Sequence, residues 1–330
     1  MQILRPQLVV ATVLSLVLLS ATVNGQSIKS TGGNLDKELT PWGHPDLQGV
    51  WDRRTITPLQ RPERFAEKAF LNQEEIRAYE RASAERTDGR PLDLGRGGIS
   101  VHDPSDLDYG TKVVATGQTS LVVDPPSGLI PDITDAARER SAARARAREG
   151  RGPADSWIDR SLTERCITWG VPGGMLPQAY NNNIQILQTP TTVLILNEMV
   201  HDIRVIPIDG RPHIPSNIRQ WHGDPRGHWE GDTLVVESTN FSDKSNFRGS
   251  NENLRLIERF SRVSEDILQY EFTVEDPTTW TRPWSIAFPM VKGDQPIYEF
   301  ACHEGNYGLR NILNIARNLE KQAVDSKATN

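Results

Sequence analysis

Alternation of apolar and polar residues in the second half of the chain constrains its fold more than any other feature. Along residues 268–275 the two classes strictly alternate, with Leu268, Tyr270, Phe272 and Val274 set against Gln269, Glu271, Thr273 and Glu275. Successive side chains of a β-strand point to opposite faces, so this pattern predicts a strand with one buried face. Comparable segments predict further strands at Arg165–Trp169, Asn183–Gln188, Thr192–Glu198, Asp202–Ile208, Thr233–Thr239, Leu254–Val263, Trp284–Val291 and Ile297–Cys302.

Short turns join most of the predicted strands, and this spacing favours antiparallel pairing. Thr189-Pro190-Thr191 separates one pair, and Ser264-Glu265-Asp266 separates another. A meander of about eight strands leaves two edges, and closure into a barrel removes both. We therefore predict a mainly β fold, an antiparallel meander that closes into a barrel. Such a barrel holds one small ligand or fills itself with side chains.

Helical patterns flank the predicted barrel along the chain. Residues 62–86 turn helical, 88–110 are an irregular loop, and TSLVVDPPSGLIP predicts a hairpin or tight turn. The segment Ile133–Arg151 predicts a surface helix capped by Asp135 and ended by Gly150. An apolar stripe over Tyr307–Lys321 predicts a C-terminal helix against the barrel. The predicted organisation is a flexible leader (26–40), one barrel domain (41–321) with a helical and loop insertion around 62–160, and a polar tail (322–330).

The first 25 residues have the pattern of a secretory signal peptide. Arg5 precedes the apolar run Leu8–Val23, and the small residue Gly25 precedes a predicted cleavage before Gln26. A membrane anchor is the alternative, although the run is short for a span and no basic stop-transfer cluster follows it. We expect a secreted or periplasmic protein with no membrane insertion after cleavage. The net charge of -6 argues against nucleic acid as the main partner.

Cys166 and Cys302 are the two cysteines of the chain. Because export places them in an oxidising compartment, we predict a disulfide between them, with two free buried thiols as the alternative. A zinc site of four thiolates is excluded.

Sequence signatures of several enzyme classes are absent. The chain has no G-x-S-x-G elbow, no H-E-x-x-H helix, no phosphate loop and no dinucleotide fingerprint. This argues against conventional serine hydrolases, kinases and dehydrogenases. Residues 182–241 hold four of the seven histidines, but the spacing of His213, His222 and His228 matches no metal motif. We therefore predict neither a metal ligand nor a cofactor.

Two polar clusters at the ends of predicted strands are candidate catalytic groups. His201 lies between two predicted strands with Arg204 close by, and His303 and Glu304 follow the last predicted strand. Histidine exchanges protons near neutral pH, and arginine binds carboxylates or stabilises an oxyanion. We predict proton transfer by His201 and His303, with Arg204 and Glu304 orienting groups or stabilising charge. The alternatives are that the His201 cluster is an exposed turn with a surface ion pair, and that the His303 cluster only fixes the end of the chain.

Candidate ligand-binding residues lie in or beside the predicted connections. They are Tyr180, before a strong strand; Trp221 and His222, in the long loop 210–232; and Asn240, after a strand. Loops at the mouth of a barrel carry function because the barrel holds them in place. Tyr180 is equally consistent with a turn.

Glu258 is a carboxylate at an apolar position of a predicted strand. It shares strand parity with Leu256 and Phe260, so it faces the same side of the sheet. If that side is the barrel interior, Glu258 must be paired, for instance with an arginine, or have a raised pKa.

The mature chain resembles a group of uncharacterised exported bacterial proteins. The matching pieces are PDLQGVWDRR, SLVVDPPSGLIP, YNNNIQILQTP, HDIRVIPIDGRPH, HWEGDTLVVESTNF and ACHEGNY. The resemblance implies export but no particular reaction. A second, weaker resemblance comes from Gly49-Val50-Trp51, which is similar to the G-x-W first strand of lipocalins and other calycin barrels. It implies that Trp51 packs across the barrel floor.

Three functions are compatible with these features. The first is an exported barrel enzyme that uses acid–base chemistry, as a lyase, isomerase or non-serine hydrolase, on a small, partly apolar molecule. The second is a lipocalin-like carrier, and the third is an envelope interaction protein with a filled barrel. A barrel interior in which two or more His, Arg or Glu side chains converge favours catalysis, and an apolar interior favours carriage.

Overall fold

Ten β-strands and three α-helices make up the described part of the chain. The computed structural model describes residues 38–87, 108, 110–245 and 247–328. The strands are β1 (Gly49–Asp52), β2 (Val122–Asp124), β3 (Asn183–Gln188), β4 (Thr192–Asn197), β5 (Ile203–Pro207), β6 (Asp224–Glu230), β7 (Thr233–Thr239), β8 (Arg255–Ser264), β9 (Ile267–Glu275) and β10 (Trp284–Lys292). The α-helices are α1 (Gln73–Thr87), α2 (Asp135–Ala147) and α3 (Gly308–Ala328). The predicted signal peptide and most of the leader and of the loop 88–110 lie outside the described residues.

All ten strands belong to one antiparallel sheet. Nine of them follow the order β5-β4-β3-β1-β10-β9-β8-β7-β6. β1 and β2 share one edge of β10, because Trp51 pairs with Lys292 while Val122 pairs with Ile286. The sheet curls into a nearly closed barrel, which confirms the predicted fold class and agrees with a calycin-like fold at a coarse level.

Gly227 of β6 lies where the two end strands of the sheet approach each other. A Cβ atom built at this buried glycine would lie 2.7 Å from Cγ2 of Ile208 and 3.0 Å from Cγ2 of Ile206. Such distances are too short for real carbon atoms, so only glycine lets β6 come this close to β5 and the residue after it.

Side chains fill the barrel interior. Every second residue over positions 256–260, 268–274 and 284–290 is buried, in strands β8, β9 and β10: Leu256, Glu258, Phe260, Leu268, Tyr270, Phe272, Val274, Trp284, Ile286, Phe288 and Met290. Trp51 is also fully buried, with Nε1 donating to the Leu47 carbonyl (2.9 Å) and the Arg262 guanidinium 5.7 Å from its ring. Aromatic rings supply much of the apolar area that stabilises this core.

The three helices begin at polar caps or after a loop, outside the sheet. The Asn72 side chain accepts from the N–H groups of Glu74 and Glu75 (3.0 Å each) at α1. At α2 the Thr134 hydroxyl accepts from Ala137 N (3.1 Å), so Thr134 is the cap and the prediction of Asp135 was wrong by one residue. α3 extends past its predicted end to Ala328. None of the described helices has the length and apolar character needed to span a membrane.

Two predicted strands are wrong, and one strand was missed. Residues 165–169 form turns, with Cys166 in a left-handed conformation (φ 54°) that a strand excludes. Residues 297–302 have no ladder partner, because β9 occupies one edge of β10 while β1 and β2 occupy the other. Strand β6 lies within the predicted loop 210–232; Pro225 and Gly227 interrupt its apolar pattern, yet both are acceptable on an end strand of a sheet. The predicted hairpin at TSLVVDPPSGLIP is β2 paired with β10.

Candidate functional site

A buried ion pair occupies the barrel interior. The guanidinium of Arg204 on β5 donates to both carboxylate oxygens of Glu258 on β8, with Nη1 2.9 Å from Oε1, and both side chains are fully buried. Tyr270 on β9 donates its hydroxyl to the same Oε1 (2.8 Å). Burial alone lowers the pKa of Arg204, but the Glu258 carboxylate outweighs that effect and raises it. The expectation that Glu258 is buried with an arginine partner is confirmed.

Arg53 is a second buried guanidinium, just after β1. It donates to three neutral acceptors, which are the carbonyls of Leu176 (3.0 Å) and Asn181 (3.3 Å) and the Asn197 side chain (3.0 Å). Burial lowers the pKa of Arg53 to about 10. Because both acceptor carbonyls belong to the segment 176–181, Arg53 ties that segment to the chain just after β1.

A cleft opens beside this segment, and it is called the larger cleft because a smaller one adjoins it. The larger cleft has a volume of about 480 Å³, and its apolar lining consists of Leu59, Leu121, Trp169, Leu176, Pro177 and Phe247. The polar lining includes Thr55, Thr57, Gln178 and Arg248. The Phe247 ring stacks on Trp284 at 5.9 Å, so the core holds this wall in place. Among the described residues, no carboxylate contacts Arg248, whose guanidinium carbon lies 6.0 Å from the centre of the Phe247 ring.

A smaller cleft of about 250 Å³ adjoins the larger one. Both clefts are lined by Trp169, Gly173 and Phe247. The smaller cleft is also lined by Thr168 and by Lys244, and no carboxylate of the described residues contacts the Lys244 ammonium group.

A polar network behind the smaller cleft holds Trp169. Oδ2 of the buried Asp202 accepts from the Thr168 hydroxyl and from Trp169 N, each at 2.9 Å. Nε2 of His222 lies 2.7 Å from the Thr168 hydroxyl oxygen and 3.4 Å from Oδ1 of Asp202. The Thr168 oxygen also accepts from Gly170 N (2.8 Å). The hydroxyl is therefore saturated, and the network positions the aromatic wall rather than presenting a nucleophile.

Two of the predicted catalytic residues lie together on the surface. The rings of the exposed residues His201 and His303 are 6.4 Å apart, and Glu304 beside His303 is also exposed. Nδ1 of His201 lies 2.9 Å from the Phe300 carbonyl, which accepts only, so Nδ1 carries the proton and Nε2 is the basic nitrogen. Arg204, by contrast, faces the barrel interior. The catalytic roles of these residues stay predictions.

The disulfide between Cys166 and Cys302 holds this surface region in place. The bond joins residues that are 136 positions apart in the chain, as predicted. It links the segment before Trp169 with the segment that carries His303.

The predicted ligand-binding residues are dispersed. Asn240 is buried and its side-chain amide donates to the carbonyls of Ile214 (3.0 Å) and Pro215 (3.2 Å), so it anchors the loop before β6. Burial raises the pKa of the half-buried Tyr180. The partly exposed Trp221 accepts at its carbonyl from the Ser245 hydroxyl (2.8 Å), and His222 belongs to the Thr168 network. None of these four lines either cleft described above.

No metal centre is formed within the described ranges, where no group of three or more His, Cys, Asp and Glu residues is placed to hold an ion. Two of the three histidines in the long loop contact one nearby carboxylate, namely Asp202 for His222 (3.4 Å) and Glu230 for His228 (3.2 Å). His213 contacts Asp224 (2.9 Å), with Glu237 at 3.9 Å. The cleft residues Trp169, Phe247 and Arg248 were missed at the sequence level. Aromatic and cationic residues in loops were the available signal, but nothing local indicated that these loops meet.

The chain matches no protein-family model and no curated protein sequence.

Proposed function

We propose that the protein binds a small, partly apolar organic anion in the larger cleft at the mouth of the barrel. The observation that carries this proposal is a wall of Trp169, Phe247 and leucines beside Arg248, a cation without a carboxylate partner among the described residues. The cleft volume of about 480 Å³ falls in the range of about 300–1,000 Å³ that small-molecule sites occupy. A flat apolar body packs against the two rings while its acidic group meets the guanidinium.

The filled interior supports a site at the mouth over a site inside the barrel. Arg204 and Glu258 bind each other, Arg53 binds backbone and amide oxygens, and aromatic rings occupy the remaining space. Charged side chains do converge in the interior, but they are buried and paired. They are therefore closed to a ligand.

Calorimetric titration with 2-naphthoate and its neutral analogue 2-naphthamide tests the proposal. We expect the acid to bind more tightly than the amide by about fivefold, since a partly exposed ion pair contributes about 1 kcal/mol. The variant Arg248→Gln should bind both compounds equally, at the affinity of the amide.

Arg144→Gln is the matched control for this experiment. Arg144 is an exposed residue of α2, and its replacement changes the net charge equally without touching the cleft. Equal loss of acid binding in both variants, or no binding of either compound to the wild-type protein, contradicts the proposal.

Acid–base catalysis is a second candidate function, supported by the region of His201 and His303. Nε2 of His201 is free to accept a proton because Nδ1 is tied to the Phe300 carbonyl. Val200 and His201 both have left-handed backbone conformations (φ 60° and 46°), which is unfavourable for a β-branched residue. Backbone strain of this kind often accompanies functional sites.

Hydrolysis of 2-naphthyl acetate, followed by the fluorescence of the released naphthol, tests the second candidate. We expect His201→Ala and His303→Ala to lower the rate by about 10²-fold or more, as removal of a general base does. His228→Ala is the control, because His228 is an equally exposed imidazole on β6. Wild-type rates in both variants, or the same decrease in all three, would exclude catalysis at this pair.

A further inference from the structure

The two clefts share a wall at which glycine leaves open space. A Cβ atom built at Gly173 would lie 3.6 Å from Cδ1 of Trp169 and 3.8 Å from Cδ2 of Phe247, so a side chain at position 173 would occupy the space beside both rings. The backbone of Gly173 does not require glycine, because its φ is not positive. The absence of a side chain here therefore preserves space between the clefts.

Each cleft has its own cation. Arg248 lines the larger cleft and Lys244 lines the smaller one, and the structure shows no carboxylate in contact with either side chain within its described ranges. The two residues are four positions apart, so their Cα atoms are separated by at most about 14 Å. This upper limit is compatible with a molecule of two or three fused rings that carries an acidic group at each end.

The nearest polar network presents no unpaired acceptor to an anion in the smaller cleft. Asp202, which contacts the lining residue Thr168, is buried, and its Oδ2 is occupied by Thr168 and by Trp169 N. Its other oxygen faces His222. The carboxylate therefore presents no free acceptor to the cleft, and the exposed charge on this wall is that of Lys244.

We propose that the clefts are two subsites of one groove and that the ligand is an elongated, flat aromatic dianion. Its body crosses Gly173 against Trp169 and Phe247, one acidic group meets Arg248, and the other meets Lys244. This inference rests on the proposed binding function and names the class of ligand.

Calorimetric comparison of 2-naphthoate with naphthalene-2,6-dicarboxylate tests the inference. We expect the dicarboxylate to bind about fivefold more tightly, as one additional partly exposed ion pair predicts. Lys244→Gln should remove this gain and leave the affinity for naphthoate unchanged. Lys321→Gln, at an exposed position of α3, is the control and should preserve the gain.

The variant Gly173→Ala tests whether one ligand crosses between the clefts. Its added methyl group makes ordinary contacts with the two rings, so the fold is retained. We expect the dicarboxylate to lose its fivefold gain in this variant. The inference is overturned if the two acids bind the wild-type protein with equal affinity, or if the gain survives both Lys244→Gln and Gly173→Ala. In either case, binding of naphthoate that depends on Arg248 still upholds the proposed function. Failure of both acids to bind overturns the two proposals together.

Discussion

The pairing of Arg204 with Glu258 shows how a single polar contact joins distant parts of the barrel. The residues are 54 positions apart and lie on strands β5 and β8. Loss of one member of a buried pair leaves the other charged and unpaired in an apolar interior. We therefore expect Glu258→Gln to lower the free energy of unfolding by about 3–5 kcal/mol, measured by urea denaturation.

The double variant Arg204→Met/Glu258→Leu replaces both charged side chains by apolar ones and so tests what the ion pair itself contributes to stability at these buried positions. Well-packed apolar replacements of buried ion pairs are often neutral or stabilising. Nε of Arg204 also has no hydrogen-bond partner among the described residues, so the pair is incompletely satisfied. We expect the double variant to be more stable than Glu258→Gln. If Glu258→Gln lowers the free energy of unfolding by less than about 1 kcal/mol, the charge of Arg204 does not depend on Glu258 as the geometry implies.

Tyr270 makes stability depend on alkaline pH. Burial first, and then the Glu258 carboxylate, raise the pKa of its phenol well above the ordinary value of 10.0. A raised pKa in the folded state contributes stability below the unfolded-state pKa, and this contribution is lost as the pH rises above about 10. Between pH 10 and pH 12, the free energy of unfolding should therefore fall more steeply for the wild-type protein than for Tyr270→Phe. The difference in slope is at most about 1.4 kcal/mol per pH unit. If the free energies of unfolding measured by urea denaturation fall equally with pH in the two proteins, the prediction is wrong.

The close approach of β6 to Ile206 and Ile208 leaves no room for a side chain at position 227. A Cβ atom at Gly227 would overlap Ile208 and come close to Ile206. We expect Gly227→Ala to lower the free energy of unfolding by about 1–3 kcal/mol, as overpacking does. Gly308→Ala is the control, since its Cβ atom would meet nothing closer than 3.5 Å. Equal stabilities of the two variants in thermal denaturation would mean that the end strands do not pack closely.

The disulfide between Cys166 and Cys302 constrains the whole molecule. It joins residues 136 positions apart, and in the chain-entropy model a loop of that size contributes about 4–5 kcal/mol. Reduction with dithiothreitol should therefore lower the midpoint of urea denaturation. The double variant Cys166→Ser/Cys302→Ser should be destabilised to the same extent and should not respond to the reductant. An unchanged midpoint after reduction of the wild-type protein would show that the native contacts alone hold these segments together.

Export is the remaining prediction for the whole molecule. The pattern of residues 1–25 predicts removal of that segment, and exported protein should begin at Gln26. Mass spectrometry of protein expressed with its full leader and recovered outside the cytoplasm measures this directly. Recovery of the uncleaved chain in a membrane fraction would favour the membrane-anchor alternative.

The sequence by itself determined the strands β3–β5 and β7–β10, the shared face of alternate residues in β8 and β9, and the need of Glu258 for a partner. These features follow from local periodicity, because strand side chains alternate between faces whatever the chain does elsewhere. The pairing of the two cysteines followed from their number and the expected compartment. The tertiary structure alone decided that Arg204 is the partner of Glu258, that β6 joins the sheet despite Pro225 and Gly227, and that Trp169, Phe247 and Arg248 line one cleft. Such contacts join segments far apart in the chain, and they depend on barrel closure, which no local pattern encodes.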